Sequence, residues 1–416
     1  MSHRFAAALR LARGAWTPFL DPYWDGEDLA VIDRYVAGDR LESEVSALSK
    51  ALGDGLGPDY RVRLVGSGRA AIRLALDVAA LPPGSEVALP AFSCAGVIDP
   101  VIAAGHRPVL VDCDDHFNIA MASLAAAESP SLKAVILPHL GGVFARDGVA
   151  IAEWARARGV LVIEDAAQSF GLSWNGLAMG ALGDLTVFSS GLGKPLFGPG
   201  GGWVASRHSD LVRRLTDAKL AEGDEAALRV HLAAFVGRYR VGRLVRGWRL
   251  LSLAAASRIG SEAPGDTGAD DTAPRSIMGI EAALARRQLA KWPEIATRRR
   301  GHAGRWRELL TKVGFATLRL PPEDGNVFVK FWASFAGQGA AGEAARLKSA
   351  LWRSGVETEP LYRPLHLRAP YAGCRRVDLG RTEALWSTVY SLPVRPNLAT
   401  TDWHRITHAL GTLTGR

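Results

Sequence analysis

From Arg61 onward, short and almost wholly apolar runs alternate with stretches of helical periodicity. The runs fall at residues 62–65, 87–89, 109–111, 134–137, 160–163 and 185–188, and between them segments such as 69–80 and 149–157 repeat their apolar positions every three or four residues. A strand without a polar face has to be covered on both sides, and crossover helices provide that cover. The pattern predicts an α/β fold built on a mixed, mostly parallel sheet. In such sheets ligands sit at the carboxyl ends of the strands, so functional groups are sought there.

The flanking segments complete the domain plan. Leu29, Ile32 and Val36, then Leu41, Val45, Leu48 and Leu52, recur at helical spacing and predict two short helices ahead of the first strand. Residues 277–292 and 298–310 predict two more. Beyond residue 313 a strand at 327–332 and helices at 340–354 and 402–410 predict a smaller C-terminal α+β domain. The expected division is a large domain over 25–290, interrupted by a basic insertion at about 226–274, and a small domain over 291–416. The composition, 48% hydrophobic and 22% charged over 416 residues, excludes disordered, collagen-like and fibrous chains.

Three cysteines, Cys94, Cys113 and Cys374, are widely spaced and form no CxxC pair. Neither a disulfide framework nor a zinc site is expected, and a reducing, cytoplasmic setting fits. Arg10 and Arg13 interrupt the early Ala/Leu run, which argues against a secretion signal. No stretch of about 18 uninterrupted apolar residues suggests a spanning helix.

Four motifs lie at predicted strand ends. Gly66-Ser67-Gly68-Arg69 opens a helix after a strand, so exposed amides and Arg69 can bind phosphate; a tight strand-to-helix turn is the alternative. Glu164-Asp165-Ala166-Ala167-Gln168 ends another strand, placing a carboxylate toward the ligand crevice or capping the next helix. Residues 188–194, FSSGLGK, hold a single lysine in a loop rich in Gly and Ser, the confinement that an amine forming a Schiff base requires. A Walker-type phosphate loop fails there, because Phe188 stands where its first glycine belongs and Pro195 follows Lys194. Finally, residues 89–94, LPAFSC, offer apolar groups that line either a ring-shaped ligand or the core.

Phosphate donors, an acid for a ring nitrogen and an amine for an aldehyde are the set that pyridoxal 5'-phosphate requires. The segments VGSGRAAIRLAL, LPHLGGVF, VLVIEDAAQSFG, FSSGLGKPLFGPGGG, IMGIEAALARRQL and VETEPLYRPLH resemble, in order and spacing, the DegT/DnrJ/StrS family of pyridoxal-phosphate-dependent sugar aminotransferases. The resemblance covers most of residues 25–412, with a gap at about 207–274. It implies a PLP-dependent transferase fold of type I and a homodimer with active sites at the subunit interface. It also implies Lys194 as the Schiff-base lysine and Asp165 as the partner of the pyridine nitrogen. Gln168 would meet the ring hydroxyl, and Gly68, Arg69 and Ser189 the phosphate. Tyr362 and His366, in LYRPLH, fall in a motif close to the substrate.

Three positions depart from the family pattern. Arg69 stands where Thr is usual, and Cys94 where an aromatic stacks on the ring, leaving Cys94 or Phe92 to cover that face. Pro274 stands where the partner subunit commonly lends an Asn to the phosphate, with Arg275 as its expected replacement. The lysine at 194 argues against the dehydratase branch, which has histidine there.

The implied reaction moves an amino group from a donor, glutamate by expectation, to a nucleotide-linked ketosugar. The alternatives are a non-sugar ketone such as a cyclitol or an aminobenzoate precursor, and a cofactor-binding regulator without turnover. Nucleic acid is not expected as a partner, since no recognised module is present.

The formal net charge of +8 is concentrated in one place. The acid-free segment that opens at Ala226 and closes at Gly260 carries seven arginines, so the rest of the chain is almost neutral. Within it, Leu244, Val245, Trp248 and Leu251 share a helical face opposite Arg243, Arg246 and Arg249. Such a helix suits an anionic membrane surface, giving a peripheral membrane contact, or packs on the protein itself. Residues 261–274 are polar and Gly/Pro-rich and predict a linker.

Overall fold

The computed structural model describes residues 16–244 and 272–414. The strands are β1 (Arg61–Val65), β2 (Glu86–Pro90), β3 (Arg107–Val111), β4 (Leu132–Pro138), β5 (Leu161–Asp165), β6 (Ser173–Trp174), β7 (Leu177–Ala178), β8 (Leu185–Ser189) and β9 (Gly202–Ser206), then β10 (Leu318–Arg319), β11 (Phe331–Phe335), β12 (Glu359–Pro360), β13 (Arg375–Arg376) and β14 (Val389–Leu392). Eight of them form the main sheet, in the order β1-β9-β8-β5-β4-β2-β3-β13. All its pairings are parallel except those of β9, which runs antiparallel to β1 and β8.

The reversal of β9 has a simple cause. No crossover helix separates it from β8, only the loop 190–201, and two strands joined directly must run antiparallel. That loop carries Lys194. It therefore emerges at the same edge as the carboxyl ends of β1, β2, β4 and β5, so the parallel topology gathers the predicted motifs along one side of the sheet. Helices Gly68–Ala79, Ala95–Ala103 and Gly148–Ala157 cover the faces, and the middles of the strands they cover are apolar because neither side meets water there.

A second sheet, β10-β11-β14-β12, is antiparallel and lies in the C-terminal part. It shares a core of Trp306, Phe331, Trp332, Phe335, Leu347 and Ile406. The C-terminal part also supplies β13 to the edge of the main sheet. The two helices expected at 277–292 and 298–310 are one helix, Gly279–Val313, which passes through Pro293 and across the expected division at 290. Proline removes one ladder bond, but Trp292, Ile295 and Ala296 are buried around it, so packing carries the helix onward.

The described part of the acid-free segment, up to residue 244, lies in helix Glu225–Leu244. Its Leu232, Val236 and Tyr239 are buried against Trp24, Ile32, Tyr35, Phe197 and Leu284. Arg240 pairs with Asp33 at 2.7 Å, and the Arg229 guanidinium lies 5.0 Å from the centre of the Tyr35 ring. Up to Tyr239 the apolar face of this segment is thus covered by its own chain. The amphipathic stretch at 243–251 lies almost wholly outside the described residues, as does the linker up to residue 271. No helix among the described residues is long and apolar enough to cross a membrane.

Trp203 of β9 is fully buried and stacks on Phe188 of β8, with ring centres 5.2 Å apart. It holds the reversed strand against the strand that ends at Ser189. Trp203→Ala is expected to cost about 3–5 kcal/mol, read as a lower denaturant midpoint; an unchanged midpoint would show that β9 is anchored by other contacts.

Candidate active site

The site is assembled from loops that leave one sheet edge. After β1, Ser67 adopts an extended conformation and caps helix Gly68–Ala79, its hydroxyl accepting the Ala70 N–H at 3.1 Å. The Gly201 N–H donates to the Gly66 carbonyl at 2.8 Å, joining this turn to the lysine loop. A β-carbon on Gly68 would lie 2.9 Å from the Ser189 β-carbon, so the glycine is what lets the end of β8 approach the helix start. Free amides at a helix start, a serine hydroxyl and little steric bulk form an anion cradle. The Arg69 side chain runs beside Gly96, where Cys94 also packs: a β-carbon on Gly96 would lie 3.1 Å from Arg69 Nε and 3.5 Å from Cys94 Sγ.

Asp165 is the last residue of β5 and is buried. Its Oδ1 accepts the Ala167 N–H at 3.0 Å. Burial pushes its carboxyl up from the ordinary value, while the Lys194 ammonium and the Ala167 amide pull it back. Lys194 is half-buried, and its backbone N–H donates to Gly191 O at 3.2 Å. A β-carbon on Gly191 would lie 3.8 Å from Ser189 Oγ and 4.0 Å from Lys194 Cγ, so the serine and the lysine flank one glycine. The acid, the amine and the cradle are neighbours.

Gln168 is held at both ends of its amide. Its Oε1 accepts the Gly141 N–H at 2.9 Å and its Nε2 donates to Tyr362 Oη at 2.9 Å. Tyr362 packs edge-on to Phe92 with ring centres 6.1 Å apart, and burial raises its phenol strongly. Tyr362 thus meets both Gln168 and Phe92. His366 bonds elsewhere, to Glu383 at 3.0 Å.

Some contributors were not singled out from the sequence. His139, at the end of β4, is fully buried; its Nδ1 accepts the Ala145 N–H at 3.0 Å, and its Nε2 faces Glu164 at 3.2 Å. Because Nδ1 is an acceptor, Nε2 carries the proton. Glu164 also accepts the N–H groups of Gly180, Leu182 and Gly183. Arg275, which the sequence did single out as a replacement for the lent Asn, makes two bonds to buried Glu281, at 2.6 and 2.9 Å, and one to the Gly66 carbonyl at 3.1 Å. The position next to the family's lent Asn thus serves its own chain's phosphate turn. Lys330 lies over the Tyr362 ring, its Nζ 5.0 Å from the centre. Among the described residues no group of three or more His, Cys, Asp or Glu side chains is placed to hold a metal ion.

These donors fit pyridoxal 5'-phosphate: the cradle suits its phosphate, a buried carboxylate needs the cation that a protonated ring nitrogen supplies, and Lys194 offers an amine to its aldehyde. A site of this kind, on a mixed sheet with one reversed strand, defines a pyridoxal-phosphate-dependent aminotransferase. The chain belongs to the DegT/DnrJ/EryC1/StrS aminotransferase family, whose model matches residues 32–239 and 275–411. It is 26% identical to GDP-perosamine synthase of Caulobacter vibrioides, over 87% of each chain. It is 30% identical to a protein of Geobacillus stearothermophilus called pleiotropic regulatory protein, over 88% of this chain and 87% of that one. Among solved structures, an aminotransferase, TlmJ, from Streptoalloteichus hindustanus superposes with a TM-score of 0.73 at 25% identity, covering 96% of this chain and 99% of that one.

Hydrogen bonds from His139 and the three amides hold the Glu164 carboxyl below its ordinary value of 4.5 despite its burial. Glu164 therefore contributes stability in full above 4.5 and loses it as pH falls through the lower folded value. Glu164→Gln should be less stable than the wild type at neutral pH, with the gap in urea unfolding free energy narrowing below pH 4.5. A gap independent of pH would show that the carboxylate charge is not what the amides hold.

Proposed function

We propose that the protein transfers an amino group to a ketosugar in aminosugar biosynthesis, with glutamate as donor and a nucleotide-linked hexose as acceptor. The observation that carries this is the buried Asp165 carboxylate, within electrostatic reach of Lys194, beside an anion cradle. The relationship to GDP-perosamine synthase supports a sugar acceptor. Bound in the site, the cofactor supplies an aldehyde that takes up the amino group and a ring that draws electrons from the substrate carbon.

The chain's own residues do the rest. Asp165, held by the Ala167 amide, keeps a proton on the ring nitrogen. Lys194 would hold the cofactor through its aldehyde and would be the group that moves the proton at the substrate carbon. Gln168, fixed by Gly141 and Tyr362, orients the ring hydroxyl. Gly68, Arg69 and Ser189 grip the phosphate. Cys94 or Phe92 covers a ring face in place of a stacked aromatic at 94, and Tyr362 borders the acceptor. Two copies pair to complete the sites, and the product enters a polysaccharide, another glycan or an antibiotic sugar.

The regulatory name of the Geobacillus relative favours one other reading, a cofactor-binding regulator without turnover. A binder has no use for a proton-carrying amine. Incubation with glutamate and a panel of nucleotide-linked 3- and 4-ketohexoses should therefore yield an aminosugar from at least one, detected by mass. Lys194→Ala should lower the rate by roughly 10²–10⁴-fold or more and abolish the visible absorbance of bound cofactor. Amination of a cyclitol ketone but of no sugar would refute the acceptor class, and a colourless wild type after cofactor addition would refute the enzyme.

A further inference from the structure

The segment 326–330 arrives from the C-terminal part and docks on the glycine turn that follows β4. The Val327 N–H donates to Gly142 O at 3.0 Å, the Lys330 N–H to Gly141 O at 3.1 Å, and Asn326 Oδ1 accepts the Phe144 N–H at 3.0 Å. A β-carbon on Gly142 would lie 2.8 Å from a Val327 methyl carbon and 2.9 Å from the Gln168 carbonyl oxygen, so the turn is wedged between the two. Midway along the segment Phe328 has a φ of +47°, a left-handed backbone that few residues other than glycine adopt. Its surroundings have to hold it there.

Arg299 does so. It lies on helix Gly279–Val313, is only 7% exposed, and donates to the carbonyls of Phe328 at 3.4 Å and Val329 at 3.1 Å. Its Nε has no partner, and burial with no opposing charge brings its pKa down to about 10. Burying a guanidinium in this way is costly, so the two carbonyl bonds are what the fold gains from it. From Arg299 the contacts run without a break through the 326–330 segment and the Gly141–Gly142 turn to the Gly141 N–H, which Gln168 Oε1 accepts at 2.9 Å.

We infer that Arg299 is a positioning residue for the reaction: by holding the left-handed segment it fixes the Gly141 amide, and through that amide the Gln168 side chain that meets the ring hydroxyl. The inference rests on the role given to Gln168 above. Gln168 Nε2 gives one proton to Tyr362 and has a second for the ring oxygen. A donor there favours the deprotonated oxygen, so a loosened Gln168 leaves that oxygen more basic.

A pH titration of the visible absorbance of the holoenzyme reads that basicity. Gln168→Ala and Arg299→Met should each raise the midpoint by about half a unit or more, and the double variant should raise it no further than Gln168→Ala alone. Arg299→Lys, which keeps a donor for the carbonyls, should recover part of the shift, whereas a general loosening of the fold would not be recovered. In the wild type, adding cofactor to the apoprotein should slow hydrogen exchange at the Gly141, Val327 and Lys330 amides about tenfold, because the coupling works in both directions. That measurement decides the matter if Arg299→Met fails to fold. Additive shifts, or exchange at those amides indifferent to cofactor, overturn the positioning role. A midpoint unmoved by Gln168→Ala overturns the role of Gln168 and the inference with it, whereas one moved by Gln168→Ala but not by Arg299→Met overturns the inference alone.

Discussion

The structure turns on a carboxylate buried at the end of a central strand. Removing Asp165 from water disfavours its charged form, as its raised pKa records, and one amide bond does not offset that. The charge becomes tolerable when cations stand opposite. Lys194 is one, delivered by the loop between β8 and the reversed β9, and in the proposed reading a protonated cofactor ring would be the other. On that reading the protein and its cofactor would supply each other's missing charge.

Supporting contacts hold that arrangement from behind. Adjacent strand residues point to opposite faces, so while Asp165 looks into the site, Glu164 looks away and is fixed by His139 and three amides. On the phosphate side, Arg275 and Glu281 clamp the Gly66 turn, and the approach is so close that a β-carbon on Gly66 would lie 2.2 Å from the guanidinium carbon. A side chain at 66 would have to displace the Arg275 guanidinium from Glu281. Between these anchors Gln168 spans from the main sheet to Tyr362 of the C-terminal part, linking cofactor and substrate regions.

What could be read in the sequence follows from how local each feature is. The apolar strands β1 to β5 and β8 were legible because burial on both faces leaves a compositional mark, and Asp165, Lys194 and Gly68 because each lies at or just beyond such a strand. β9 was not, since GWVAS follows a run of Gly and Pro that reads as loop. Nor was β13, two arginines whose strand character comes wholly from pairing with β3. The helix through Pro293 was divided because local propensity opposed what packing enforces. Contacts across the fold left no local trace: Gln168 meets Tyr362 at a separation of 194 residues, and nothing near Lys330 in sequence indicates that it overlies that ring.

The central claim, that Asp165 keeps the ring nitrogen protonated, can be tested with 15N-labelled pyridoxal 5'-phosphate. The account predicts a 15N chemical shift typical of a pyridinium in the wild-type holoenzyme across the neutral and mildly alkaline range, and of a neutral pyridine in Asp165→Ala. A neutral pyridine nitrogen in the wild type, or a pyridinium that survives loss of Asp165, would contradict it.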